Sequence, residues 1–127
     1  MEYVGSYKEL EVYKVSRQLS REIFSIKKGF PRDEMFSLTD QIRRSSRSIG
    51  AQIAEKKKKR RYEKHFVSKL TDADGEQQET QHWIETALDC SYLSQEVANN
   101  LLKHCSSIGK MLNSMISKSA TFCKPST

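Results

Sequence analysis

Between Phe66 and Ser91 the side chains that can enter a core return in alternating steps of four and three: Phe66, Leu70, Ala73, Gln77, Thr80, Ile84, Ala87, Ser91. An α-helix puts positions with that spacing on one face, and a seam this long needs partner helices along most of its length. Its centre is polar, since Gln77 and Thr80 lie beside Gly75. Buried there, both need hydrogen-bond partners. They either set the register of packing or face another subunit.

Three further segments carry the helical period. The first is expected from about Tyr7 to Lys28, with Ser6 and Glu9 at capping-box spacing and a stripe of Leu10, Tyr13, Leu19, Ile23 and Phe24. Gly29 and Pro31 end it. The second is expected from about Asp33 to Lys56, on Leu38, Ile42, Ser45, Ile49 and Ile53. Gly50 interrupts it at a cost of about 1 kcal/mol relative to alanine, and marks either a close helix approach or a kink. The seam helix should run from about Tyr62 to Leu93. The last should run from about Gln95 to Ser117, with Ser94 as N-cap and a stripe of Val97, Leu101, Cys105, Ile108, Leu112 and Met115. Four amphipathic helices with short connections imply an all-α fold, an antiparallel up-down four-helix bundle. The bundle domain is assigned to residues 1–118, and residues 119–127 to a flexible C-terminal tail. A chain of 127 residues can bury such a core without disulfides or a metal.

No apolar run is long enough for a membrane span, and the N-terminus lacks a basic-then-apolar signal pattern, so a cytoplasmic protein without a membrane is expected. The three cysteines form no CxxC pair. Cys90 and Cys105 read as small core residues and Cys123 as part of the tail.

Charge is uneven. Residues 1–66 hold 17 Lys/Arg against 9 Asp/Glu, net +8, and the remainder is net −2. The second helix leads directly into six cations: Lys56, Lys57, Lys58, Lys59, Arg60 and Arg61. A rigid helix presenting such a run suits a polyanion, because Lys and Arg neutralise phosphates and release condensed counterions with little sequence readout. Arg47 is a further candidate for that surface. Only Tyr62 is at hand to stack on a base, since Phe66 belongs to the core. Arg43 and Arg44 read as structural or intersubunit residues, paired with the acidic third helix through Asp72, Glu76 and Glu79. Lys14, Arg17, Arg21 and Lys28 make another stripe, read as a solvated face. The same asymmetry suits self-association, with the basic half of one subunit against the acidic half of the next.

Catalytic signatures are missing. There is no Walker A, G-x-S-x-G, H-E-x-x-H or G-x-G-x-x-G pattern. A di-iron bundle needs two Glu-x-x-His copies, and Glu79-Thr80-Gln81-His82 supplies one. The expectation is a non-catalytic protein with no cofactor and no metal.

The pieces YKELEVYK at Tyr7–Lys14, Phe30–Pro31 and QIRRSSRSIGAQIAE at Gln41–Glu55 occur in a familiar order. They are followed by Phe66 and Leu70, Gly75–Glu76 with Glu79–Thr80, Tyr92–Leu93, and KMLN at Lys110–Asn113. In these the chain resembles the four-helix-bundle proteins encoded in intervening sequences of 23S ribosomal RNA genes, the S23 family. The segment at 41–55 is the specific one. Departures are Gly50 where the family usually has proline, Gln52 for asparagine, Lys56 for glycine, and Tyr62 where a Ser/Thr cap precedes the third helix. The resemblance implies an up-down bundle assembled as a homo-oligomer, often a pentamer, with no known catalysis. Related bundles serve as accessory proteins of diversity-generating retroelements, where they bind a reverse transcriptase and nucleic acid. The expected function is therefore binding of nucleic acid, RNA foremost, by backbone electrostatics. The alternative is a protein–protein scaffold or accessory subunit, for example for a reverse transcriptase.

Overall fold

A computed structural model describes residues 7–56 and 63–123. Four long helices, α1 (Glu11–Ile26), α2 (Leu38–Lys56), α3 (Glu63–Asp89) and α4 (Gln95–Ser117), each pack against their neighbours in the chain, and α1 also packs on α4. Short connections and closure of the ring make this an up-down four-helix bundle with antiparallel neighbours. No strand occurs among the described residues.

The seam of α3 is realised almost entirely. Phe66, Leu70, Ala73, Gln77, Thr80, Ile84 and Ala87 are all buried. Around them stand Leu19 and Ile23 of α1, Ile42, Ile49 and Ile53 of α2, and Leu101, Cys105, Ile108 and Leu112 of α4. Ser91 is the exception. It is exposed, with a φ of 63°, and the amides of Ser91 and Tyr92 bond back to the carbonyls of Leu88 and Ala87. That is a Schellman-type ending with serine where glycine is usual. Without a glycine the stop is invisible in the sequence, and the expected end at Leu93 overshoots. Cys90 goes with it: it is exposed, not a core residue.

The polar centre of the seam is satisfied within the chain. Thr80 Oγ1 lies 2.8 Å from Ser45 Oγ of α2 and 2.8 Å from the Glu76 carbonyl. Gln77 donates to Asp74 at 2.8 Å and accepts from Gln81 at 2.7 Å. The Thr80–Ser45 bond fixes the register of α2 on α3, since a shift by one turn strands a buried hydroxyl, while the other bonds satisfy the polar groups within α3. Thr80→Val alone leaves Ser45 without that partner and is expected to cost about 1–3 kcal/mol, whereas Ser45→Ala with Thr80→Val removes both groups and costs far less. Urea unfolding of the two variants beside wild type measures this; equal destabilisation by the single and double changes would refute it.

Two glycines serve close packing. A Cβ on Gly50 would lie 3.2 Å from Ser16 Oγ and 3.5 Å from the Tyr13 ring, while α2 runs unbroken past it. Of the two expectations for Gly50, close approach is the one observed. On Gly109, a buried position of α4, a Cβ would lie 2.9 Å from Gln77 Nε2.

Helix starts differ from expectation. Tyr7–Glu9 and Arg32–Glu34 are single 3₁₀ turns, and α1 and α2 begin at Glu11 and Leu38. Leu10 caps α1 without a side-chain bond, and Ser6 lies outside the described residues. Ser94 caps α4 as expected, accepting from the Val97 amide at 3.1 Å. After Ser117 the chain continues into a short helix α5 (Ser119–Phe122). Ser119 donates to Glu63 at 2.6 Å, and Ser119 and Cys123 are buried. The segment expected to be a free tail from residue 119 therefore packs back on α3 as far as Cys123.

At the end of the bundle holding the α1–α2 and α3–α4 connections, Phe30 meets the Tyr92 ring at 5.7 Å and Tyr92 donates to Glu34 at 2.9 Å. That bond to the carboxylate, with burial and the charges of Glu34, Cys90 and Asp33 behind it, pushes the Tyr92 phenol up to about 12. Bonds from Ser37 and then Tyr92 hold Glu34 below the usual carboxylate range against the opposing effect of burial. A raised phenol stabilises the fold below its ordinary value of about 10 and loses that contribution as pH climbs through 12. A lowered carboxylate contributes above its ordinary value and loses it as pH falls. Tyr92→Phe is therefore expected to lower the melting temperature most between about pH 5 and 10, the gap to wild type closing on the alkaline side. A gap that persisted unchanged above pH 12 would contradict this.

Candidate nucleic-acid interface

Helices α1 and α2 with the connection between them hold 10 of the 16 described Lys/Arg. Between the two helices lies a cleft of about 600 Å³, lined by Gly50, Ala51 and Ala54 and by Arg17, Arg21 and Arg47. Two smaller hollows of about 450 Å³ adjoin it, one on the exposed side of α2 and one under the α1–α2 connection. Arg47 is shared by the first and second, and Arg43 by the second and third, because they stand one turn apart on the same face. Together the three hollows are lined by eight Lys/Arg and one carboxylate, Asp40.

Asp40 is occupied: Arg43 reaches it at 2.9 Å within α2. Arg44 points the other way, to Glu79 at 2.8 Å and Glu76 at 3.8 Å on α3. The expectation put both arginines on the third helix. Consecutive helical residues project about 100° apart, so when Arg44 faces α3 its neighbour Arg43 faces outward. Glu79 also accepts from Trp83 Nε1 at 3.0 Å. That bond first, and then Arg44, hold its carboxyl below the usual range against burial. Trp83 itself is half-buried against the bundle core. On the same helix pair, Lys69 reaches Glu55 at 3.0 Å and Gln52 at 3.3 Å. Such partly exposed pairs contribute at most about 1 kcal/mol each.

Arg17, Arg21 and Arg47 have no ion pair among the described residues. Arg17 donates to the Tyr13 hydroxyl at 3.1 Å. Arg47 lies 5.8 Å from the centre of the Phe24 ring, with Lys27 at 4.7 Å and Lys28 at 5.0 Å. Each exposed cation–π contact is worth about 0.5–1 kcal/mol. Phe24 is the residue that sequence reasoning misplaced. It follows Ile23 in the apolar stripe, yet it is 44% exposed and lines the cleft while Ile23 is fully buried. Phe36, 87% exposed, and Met35 lie in the hollow under the connection.

Of the expected nucleic-acid-binding residues, Arg47 is therefore at the junction of two hollows. Lys56 ends α2, and Lys57, Lys58, Lys59, Arg60 and Arg61 lie outside the described residues. No cluster of three His, Cys, Asp or Glu suited to a metal occurs among the described residues, and no helix there is long and apolar enough to cross a membrane. Glu79 is held by Arg44 and Trp83, and His82 packs edge-on against Trp83 at 4.6 Å. The Cys105 thiol, buried at the core, is pushed up to about 12 by desolvation and so stays protonated near neutrality.

The family model described as 23S rRNA-intervening sequence protein matches residues 8–114. The chain belongs to that family. A solved member of this fold, a protein of unknown function from the S23 ribosomal protein family of Bacteroides thetaiotaomicron, superposes with a TM-score of 0.76 at 29% identity. The match covers 83% of this chain and 97% of that one. No curated protein matches the chain. The family assignment accounts for the ordered motifs read from the sequence, and the QIRRSSRSIGAQIAE segment is placed by the structure as α2, where it supplies core, Arg44 clamp and cleft wall together.

Proposed function

We propose that this 23S rRNA-intervening sequence family bundle is a non-catalytic, self-associating protein that binds nucleic acid, RNA foremost, through backbone electrostatics. The observation that carries the reading is the α1–α2 face, with eight cations and one already paired carboxylate around three joined hollows. Arg43 and Arg44 of these eight are paired with carboxylates, and the other six, Arg17, Arg21, Lys27, Lys28, Arg32 and Arg47, carry the positive charge that phosphates can neutralise; the run Lys56–Arg61 follows in sequence from the end of the same helix α2. Copies assembled into an oligomer present the surface several times, so weak contacts add through avidity. The test is binding to mixed-sequence RNA and duplex DNA across salt concentrations, for wild type and for a variant with Lys57, Lys58, Arg60 and Arg61 changed to Gln. Equal and negligible binding by both at low salt would sink the proposal. Light scattering tests self-association, which a concentration-independent monomer would refute.

A second reading, a scaffold that docks an acidic protein partner such as a reverse transcriptase, is favoured by one observation. Phe36 and Met35 stand exposed among Lys27, Lys28 and Arg32, an apolar patch rimmed by positive charge. Co-purification of a partner through that patch, with indifference to nucleic acid, would decide for it.

A further inference from the structure

We infer that the α1–α2 cleft takes an unpaired nucleotide of a single strand, its base stacked on Phe24 and its flanking phosphates held by Arg17, Arg21 and Arg47; this rests on the nucleic-acid reading above. Backbone electrostatics alone needs only a convex basic surface and treats duplex and single strand alike. This cleft has three features such a surface does not require. Its volume of about 600 Å³ is at the scale of small-molecule sites. Its α2 side includes the small residues Gly50, Ala51 and Ala54 beside Arg47. Phe24 stands in its wall 44% exposed, although a phenylalanine on this helix has a core to enter.

The chemistry of the wall matches both parts of a nucleotide. Arginine offers a planar fork to a phosphate, and an aromatic face accepts any base, paired bases excepted because their faces are taken by the stack. At present the Phe24 ring is attended by the flexible side chains of Lys27 and Lys28 and by Arg47. A base that displaces one of them replaces an exposed cation–π contact with the stronger stacking contact. The displaced ammonium stays beside the incoming phosphates. An acidic peptide would satisfy the arginines but leaves the exposed ring and the small apolar lining beside it without a purpose, which is why a nucleotide is the favoured occupant.

The experiment measures anisotropy of a labelled U-rich RNA, the same length of duplex RNA, and competition by inorganic polyphosphate, using the full chain. Wild type is expected to prefer the single strand. Phe24→Leu is expected to weaken single-strand binding about tenfold while leaving duplex binding within about twofold, and Phe24→Trp to restore it. Light scattering of a variant carrying Arg17→Gln, Arg21→Gln and Arg47→Gln accompanies these. The inference is overturned if Phe24→Leu changes neither ligand, or if polyphosphate competes as well per phosphate as the RNA. It is also overturned if the arginine variant dissociates the oligomer without losing RNA affinity, since the cleft is then a subunit contact. In the first two cases binding lost equally for single strand and duplex in the arginine variant leaves the electrostatic proposal standing. No binding of either ligand by wild type removes both.

Discussion

Phe66→Ala is expected to lower the melting temperature by about 10–20 °C. Phe66 is fully buried near the start of α3 and is the bulkiest of the fully buried side chains. Truncating a buried phenylalanine to alanine costs about 3–5 kcal/mol, through lost transfer energy and the cavity left behind. A domain of this size shifts by roughly 3–5 °C per kcal/mol. The loss is a large part of the roughly 5–15 kcal/mol by which domains are stable at all. Circular dichroism melts check it, and a shift of only two or three degrees would mean that the helices close around the gap. The variant also separates core from ligand. Phe66 has no exposed surface to stack on a base, so at low temperature, where the variant is still folded, its RNA affinity should match wild type.

How far the sequence discloses such positions depends on whether the helical period is reinforced by end signals. The α3 seam is written in seven buried residues at steps of four and three, and each one is where that period puts it. Ser94 discloses the start of α4 because its side chain does the capping. The end of α3 is not disclosed, because Ser91 adopts a positive φ that the chain elsewhere leaves to no other non-glycine residue described. Period alone also cannot decide between adjacent apolar residues at the edge of a stripe. Ile23 and Phe24 are 100° apart, and which of them the bundle buries follows from where α2 approaches, set by Gly50 against Ser16 and Tyr13. That approach is tertiary. The cleft was for this reason illegible, although its arginines Arg17 and Arg21 were visible as a stripe. Gly109 is similar: a glycine in a helix reads as a local cost until its contact with Gln77 is seen.

Changing Arg17, Arg21, Arg47, Lys57, Lys58, Arg60 and Arg61 together to glutamine is expected to flatten the salt dependence of RNA binding. If each of the seven meets one phosphate of a single strand, log K falls with log salt at a slope of about −4.9 in wild type. Between 50 and 200 mM salt that is about a thousandfold loss of affinity, against little change in the variant. The two groups can be parted. The run variant, Lys57, Lys58, Arg60 and Arg61, should lose about 2.8 of the slope and the cleft variant about 2.1. Stability should move little, since the cleft arginines are exposed and have no carboxylate partner among the described residues whose loss would strand a charge. The partition has a structural meaning. Arg44 is engaged by Glu79 and Glu76, so Arg44→Gln should alter melting more than the slope. A slope that falls as much for Arg44→Gln as for Arg47→Gln would mean that the bridge to α3 opens on binding. The division of α2 into a clamp on α3 and a wall of the cleft would then be wrong.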